Sequence, residues 1–121
     1  MSKYQELDAW KVSMQLVKEV YLLTQKYPKE ELYGLTAQTR RSAVSIPSNI
    51  AEGIGRQYKK DNLQFQHIAR GSLYELQTLL EIAKMVGLLD EKNYEEVIQM
   101  LNKDAQLLNG WINYLENSNL K

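Results

Sequence analysis

The chain has 121 residues, formal net charge zero, 44% hydrophobic and 25% charged side chains, and no cysteine. A chain of this length buries roughly two thirds of its unfolded surface around one core, so a single domain over residues 1–121 is expected. Disulfides, thiolate metal sites and thiol nucleophiles are excluded, while an opening Met1-Ser2-Lys3-Tyr4-Gln5-Glu6 without secretory features and the lack of any ~20-residue apolar run predict a cytoplasmic protein with no membrane partner.

The first predicted helix runs from about Leu7 to Tyr27. Leu7, Trp10, Met14, Val17, Tyr21 and Thr24 recur at three and four residues, and Pro28 stops the pattern. A second apolar line, Val12, Leu16, Val20 and Leu23, widens the buried stripe so that one helix meets at least two neighbours.

The second helix is expected to start near Thr36, whose hydroxyl could cap a first-turn amide, and to end at Gly53 and Gly55. Its apolar line is Thr39, Ala43, Ile46, Ile50 and Ile54, beside a polar line of Arg41, Ser45, Ser48 and Glu52. Pro47 has no amide hydrogen and crowds the carbonyl of Ala43, which predicts a continuous helix kinked at that point.

The third helix spans about Lys60 to Val86 on Phe65, Ala69, Ser72, Leu76, Leu79, Ala83 and Val86, and Gly87 supplies a left-handed stop. Gly71 costs about 1 kcal/mol against alanine inside a helix, which suggests a close backbone approach there. The fourth helix is capped by Asp90 and runs to about Glu116 on Tyr94, Ile98, Leu101, Ala105, Leu108, Ile112 and Leu115, with residues 117–121 as a frayed tail. Short connections between sequential helices give an all-α, antiparallel up-down-up-down four-helix bundle.

No residue set in this pattern calls for catalysis, a metal or a cofactor. His67 is a lone imidazole without a patterned acid or nucleophile, and Ser42, Ser45 and Ser48 read as hydroxyls bonded back to their own helix backbone. Gly53-Ile54-Gly55-Arg56 lacks the lysine and hydroxyl residue of a phosphate loop and sits at a helix end that presents carbonyls. Glu52 and Glu75 lack the Glu-x-x-His partner pattern of carboxylate metal bundles. They are expected instead to pair with Arg41, Arg56 or Arg70, with Asn49 completing a structural polar network.

Charge is segregated along the chain. Residues 40–70 carry six basic side chains against two acidic, and residues 71–121 carry four against eight. The basic set, Arg40, Arg41, Arg56, Lys59, Lys60 and Arg70, with Tyr58 as a stacking surface, is the candidate nucleic-acid-binding group, centred on the turn between helices two and three.

Several stretches together carry a family resemblance. They are Trp10; Tyr33-Gly34-Leu35-Thr36-x-Gln38; Arg40-Arg41-x-Ala43-Val44-Ser45-Ile46-Pro47-x-Asn49-Ile50-Ala51-Glu52-Gly53-x-Gly55-Arg56; and Ala69-x-Gly71-Ser72-Leu73-x-Glu75-Leu76. The sequence resembles the bacterial four-helix bundle proteins encoded in intervening sequences of large-subunit ribosomal RNA genes. That resemblance, covering nearly the whole chain, implies a homo-oligomeric ring, typically a pentamer, and no enzymatic activity. It carries RNA or another nucleic acid as a candidate partner. The accessory variability determinant of diversity-generating retroelements is similar in architecture and acts as a basic ring that binds reverse transcriptase and nucleic acid. The zero net charge of this chain, and Tyr58 at a position where relatives usually carry serine, set it apart from that branch. The alternative implied by that relation is a protein-interaction scaffold, an accessory to a partner enzyme without nucleic-acid binding of its own.

Overall fold

The computed structural model describes residues 4–121, so Met1, Ser2 and Lys3 of the opening stretch lie outside the described residues. Four helices make the body: α1 (Asp8–Thr24), α2 (Ala37–Ile54), α3 (Lys59–Met85) and α4 (Glu91–Glu116). Each packs on its sequence neighbours and α4 closes back on α1, the arrangement of an up-down-up-down four-helix bundle. The described residues include no strand.

The core is aliphatic. Leu16 and Val20 of α1, Ile46 and Ile50 of α2, Leu73, Leu76 and Leu80 of α3, and Val97, Leu101 and Leu108 of α4 are buried together. On α1 the line through Val12, Leu16, Val20 and Leu23 faces this core, whereas Met14 and Tyr21 of the first-read line are exposed on its flank. Both lines have helical spacing; the wholly aliphatic one, with no polar atom to satisfy, takes the interior, while the other mixes in Trp10, Tyr21 and Thr24.

The ends of the elements show which local signals held. Gly87 adopts φ +84°, the left-handed conformation that closes α3, and the Asp90 carboxylate accepts from the amide of Asn93 at 2.7 Å. Between α1 and α2 the chain departs from the expected cap. Pro28 leads into a short 3-10 turn, Lys29–Glu31, and a wide turn, Leu32–Thr36, broken at Gly34. Thr36 already has helical dihedrals and makes no side-chain cap; the Glu31 carboxylate accepts from the Leu35 amide at 3.3 Å instead. A cap needs an extended backbone to turn its hydroxyl onto the first amides, and Thr36 does not have one. Helix α2 is continuous through Pro47.

Two further expectations change. Among the described residues nothing from another element lies within 4 Å of where a side chain at Gly71 would begin, so the expected close approach is not made there. The close approach is at Gly53, where a Cβ would stand 2.5 Å from Gln66 Nε2, 2.7 Å from Asn62 Oδ1 and 2.9 Å from the Asn62 carbonyl oxygen. The tail is not frayed either: the Lys59 amide donates to the Lys121 carbonyl at 3.0 Å and Lys59 Nζ to the Ser118 carbonyl at 3.2 Å, laying residues 118–121 against the start of α3.

Candidate nucleic-acid interface

Helices α2 and α3 are joined by hydrogen-bonding side chains where leucine-on-leucine packing would be expected. Ser42 Oγ donates to the Ser72 carbonyl at 2.9 Å, Ser45 Oγ and Ser72 Oγ lie 2.8 Å apart, and Asn49 Nδ2 donates to the Ser45 carbonyl and hydroxyl at 2.8 and 2.9 Å. Farther along, Gln66 Nε2 donates to the Ile50 carbonyl at 3.1 Å and to Asn62 Oδ1 at 2.8 Å, beside Gly53. Ser42 and Ser45 thus bridge helices rather than bonding back to their own, because small side chains let the backbones come close enough for a hydroxyl to reach across, whereas Ser48 is exposed and bridges nothing among the described residues. Directional bonds of this kind fix the register of α2 on α3 and so the shape of the turn that follows.

The polar network read from Asn49, Glu52 and Glu75 forms only in part. Asn49 belongs to the serine seam, and Glu52 pairs with Arg56 at 2.8 Å on the exposed surface. Glu75 is exposed and makes no ion pair among the described residues. No arginine–glutamate pair joins two helices here, since both carboxylates point to solvent, where a single pair contributes little.

The basic residues sort by what holds them. Arg40 donates from Nε to Thr24 Oγ1 at 2.8 Å and lies 4.6 Å over the Tyr21 ring, bracing the last turn of α1, where its charge also suits the carbonyl end. Arg70 bridges α3 to α4, donating to Asn109 Oδ1 at 3.1 Å and to His67 Nδ1 at 3.0 Å; a guanidinium only donates, so His67 accepts there. Arg56 pairs with Glu52 and stacks 4.7 Å over Phe65. Lys59 is tied to the tail. Arg41 and Lys60 are exposed, and Tyr58 is 55% exposed, with no side-chain hydrogen bond to any of the three among the described residues.

Arg56, Tyr58 and Lys59 meet Ile54, Asn62 and Lys121 around an open cleft of about 330 Å³ at the α2–α3 turn. No aspartate or glutamate side chain lines it. Tyr58 is the N-cap residue of α3, with extended φ −107° and ψ 144° and no side-chain capping bond. The Lys59 amide is taken by Lys121, and the Lys60 and Asp61 amides of the first turn open on the same end of the bundle as these cations, an arrangement that favours phosphate oxygens. Asp61, exposed in that first turn, is the nearest acid in sequence. Sequence reading placed α3 after this turn but weighed only the carbonyl end of α2 there, and not the amide end of α3 beside it. It also missed Lys121, which reaches the cleft only because the tail folds back. Arg40, Arg41, Lys60 and Arg70 are not among the cleft-lining residues.

Antiparallel helices, a serine-stitched central seam and a basic turn at one end define a small helical-bundle protein whose recognisable feature is a polar motif at a helix contact. The family model of the 23S rRNA-intervening sequence protein matches residues 5–110, and the chain belongs to that family. Among solved structures, a Bacteroides thetaiotaomicron protein from the S23 ribosomal protein family, described as having unknown function, superposes with a TM-score of 0.79 at 21% identity, over 86% of this chain and 97% of that one. No curated protein matches the sequence. No helix among the described residues is long and apolar enough to cross a membrane.

Proposed function

We propose that this protein is a non-enzymatic, cytoplasmic, ring-forming bundle that binds structured RNA through the α2–α3 turn. The observation that carries the reading is the cleft edged by Arg56, Lys59 and Lys121 with an exposed Tyr58 and no acidic side chain. Cations there meet phosphates, the tyrosine ring offers a face to an unpaired base, and the amides of α3 add donors of the right sign. A net charge of zero fits a small footprint of a few phosphates rather than a coated duplex. Support for assembly comes from an apolar groove between α1 and α2, lined by Trp10, Met14, Val17, Val44 and Pro47, where Met14 and Val44 stay 44% and 39% exposed.

Filter binding to structured RNA at about 50 and about 200 mM salt tests the interface. Lys121→Ala should weaken binding and lower the salt slope by about 1, and Tyr58→Ala should cost about 1–3 kcal/mol with the slope kept. Both side chains are free of internal hydrogen bonds among the described residues, so the fold survives their removal. Wild-type affinity in both variants, or no binding by the wild type, overturns the reading. A protein partner retained after nuclease treatment, with no RNA bound, replaces it with the scaffold alternative.

A further inference from the structure

Between α1 and α4 lies Asp104, 0% exposed and the one fully buried carboxylate among the described residues. Its carboxyl oxygens stand 2.9 and 2.8 Å from Ser13 Oγ, and the same hydroxyl stands 2.7 Å from the Ala9 carbonyl oxygen. Three acceptor oxygens thus surround a hydroxyl that has one proton to give. If Asp104 were ionised, Ser13 could satisfy either the carboxylate or the Ala9 carbonyl, leaving a buried charge with a shared, single donor. A proton on Asp104 resolves the count: the acid donates to Ser13 Oγ, and Ser13 donates to Ala9.

We propose that Asp104 is held in the folded chain as a neutral acid donating to Ser13, and that its ionisation weakens the α1–α4 seam as pH rises. The surroundings supply no compensating charge. Helix α4 packs on α1 and α3. The ionisable side chains flanking Ser13 on α1 are Asp8, Lys11, Lys18 and Glu19; those along the middle of α3 are His67, Arg70 and Glu75; and Lys103 precedes Asp104 on α4. Lys11, Lys18, His67, Glu75 and Lys103 are exposed, and Arg70 is committed to Asn109 and His67. None of them forms an ion pair with Asp104 among the described residues. Burial accordingly pushes the carboxyl up from 3.8 to about 7, against a smaller lowering by the Ser13 hydroxyl.

The sign follows from proton counting. The unfolded chain releases this proton near 3.8 while the folded chain keeps it to about 7, so the stabilisation is complete below the lower value and is lost as pH rises through the upper one. Asp104→Asn keeps an N–H donor for Ser13 and cannot titrate. Between about pH 5 and about pH 8, the folding constant of the wild type relative to Asp104→Asn should fall about a hundredfold in urea titrations. In the wild type itself, the 13C shift of the Asp104 carboxyl carbon should titrate near neutrality, a readout that does not depend on the variant folding. A carboxyl midpoint below about 5, or parallel pH profiles for wild type and variant, overturns the proposal.

Discussion

Gly53 and Gly71 are both helical glycines, and they answer opposite demands. At Gly53 a methyl group would press on the backbone carbonyl of Asn62 as well as on the side chains of Asn62 and Gln66, and the carbonyl cannot swing away without moving α3. Gly53→Ala should therefore destabilise the protein by about 1–3 kcal/mol, seen as a lower urea midpoint. Gly71→Ala meets nothing within 4 Å and should stabilise by about 0.5–1 kcal/mol, because alanine has less backbone freedom to lose. Thermal melts of the two variants should move in opposite directions. The sequence marks Gly71 as an exception inside a helical pattern and Gly53 as a helix end, but gives no hint of which one has a neighbour, since the approach at Gly53 depends on Asn62 and Gln66 arriving from another helix.

Across the α2–α3 contact, Ser72 is shared by two partners: its carbonyl accepts from Ser42 and its hydroxyl meets Ser45. Ser72→Ala keeps the carbonyl bond and loses the hydroxyl one, so the expected cost is about 1 kcal/mol in a chemical denaturation experiment. Helix existence, order and most of the buried faces of α3 and α4 were legible from three- and four-residue spacing, because a stripe with that period has only one regular structure in which it can be buried at once. Gly87 and Asp90 were legible for the same local reason: a left-handed turn and a helix cap are properties of a few consecutive residues. The failed expectations at Thr36, at the serines and at the tail share a cause. Each concerned a polar group with several acceptors in reach, and the choice among them belongs to the neighbouring element.

At the level of the whole molecule, the charge blocks seen along the chain translate only partly into a surface. Of the six basic residues between Arg40 and Arg70, Arg40 and Arg70 serve as braces between helices, and at the cleft Arg56 also pairs with Glu52 and Lys59 with the tail, so the free ligand-facing charge is smaller than the sequence suggests. The apolar groove between α1 and α2 leads to a prediction about assembly. Light scattering at micromolar concentration should report a homo-oligomer, and Met14→Glu should shift it toward the monomer by placing a charge on a face that association would dehydrate. A particle of monomer mass at every concentration removes the ring.

The sequence by itself determined an all-α bundle of four helices, their order, the stop at Gly87 and the cap at Asp90, and membership of a family through a long central motif, because these depend on periodicity and on local backbone chemistry. Only the tertiary structure decided which glycine is crowded, which arginines are spoken for, that the tail closes one side of the basic cleft, and that Ser13 on the first helix meets Asp104 on the last. Those facts rest on contacts between residues far apart in the chain, where packing selects one partner from many that the residue types alone would allow.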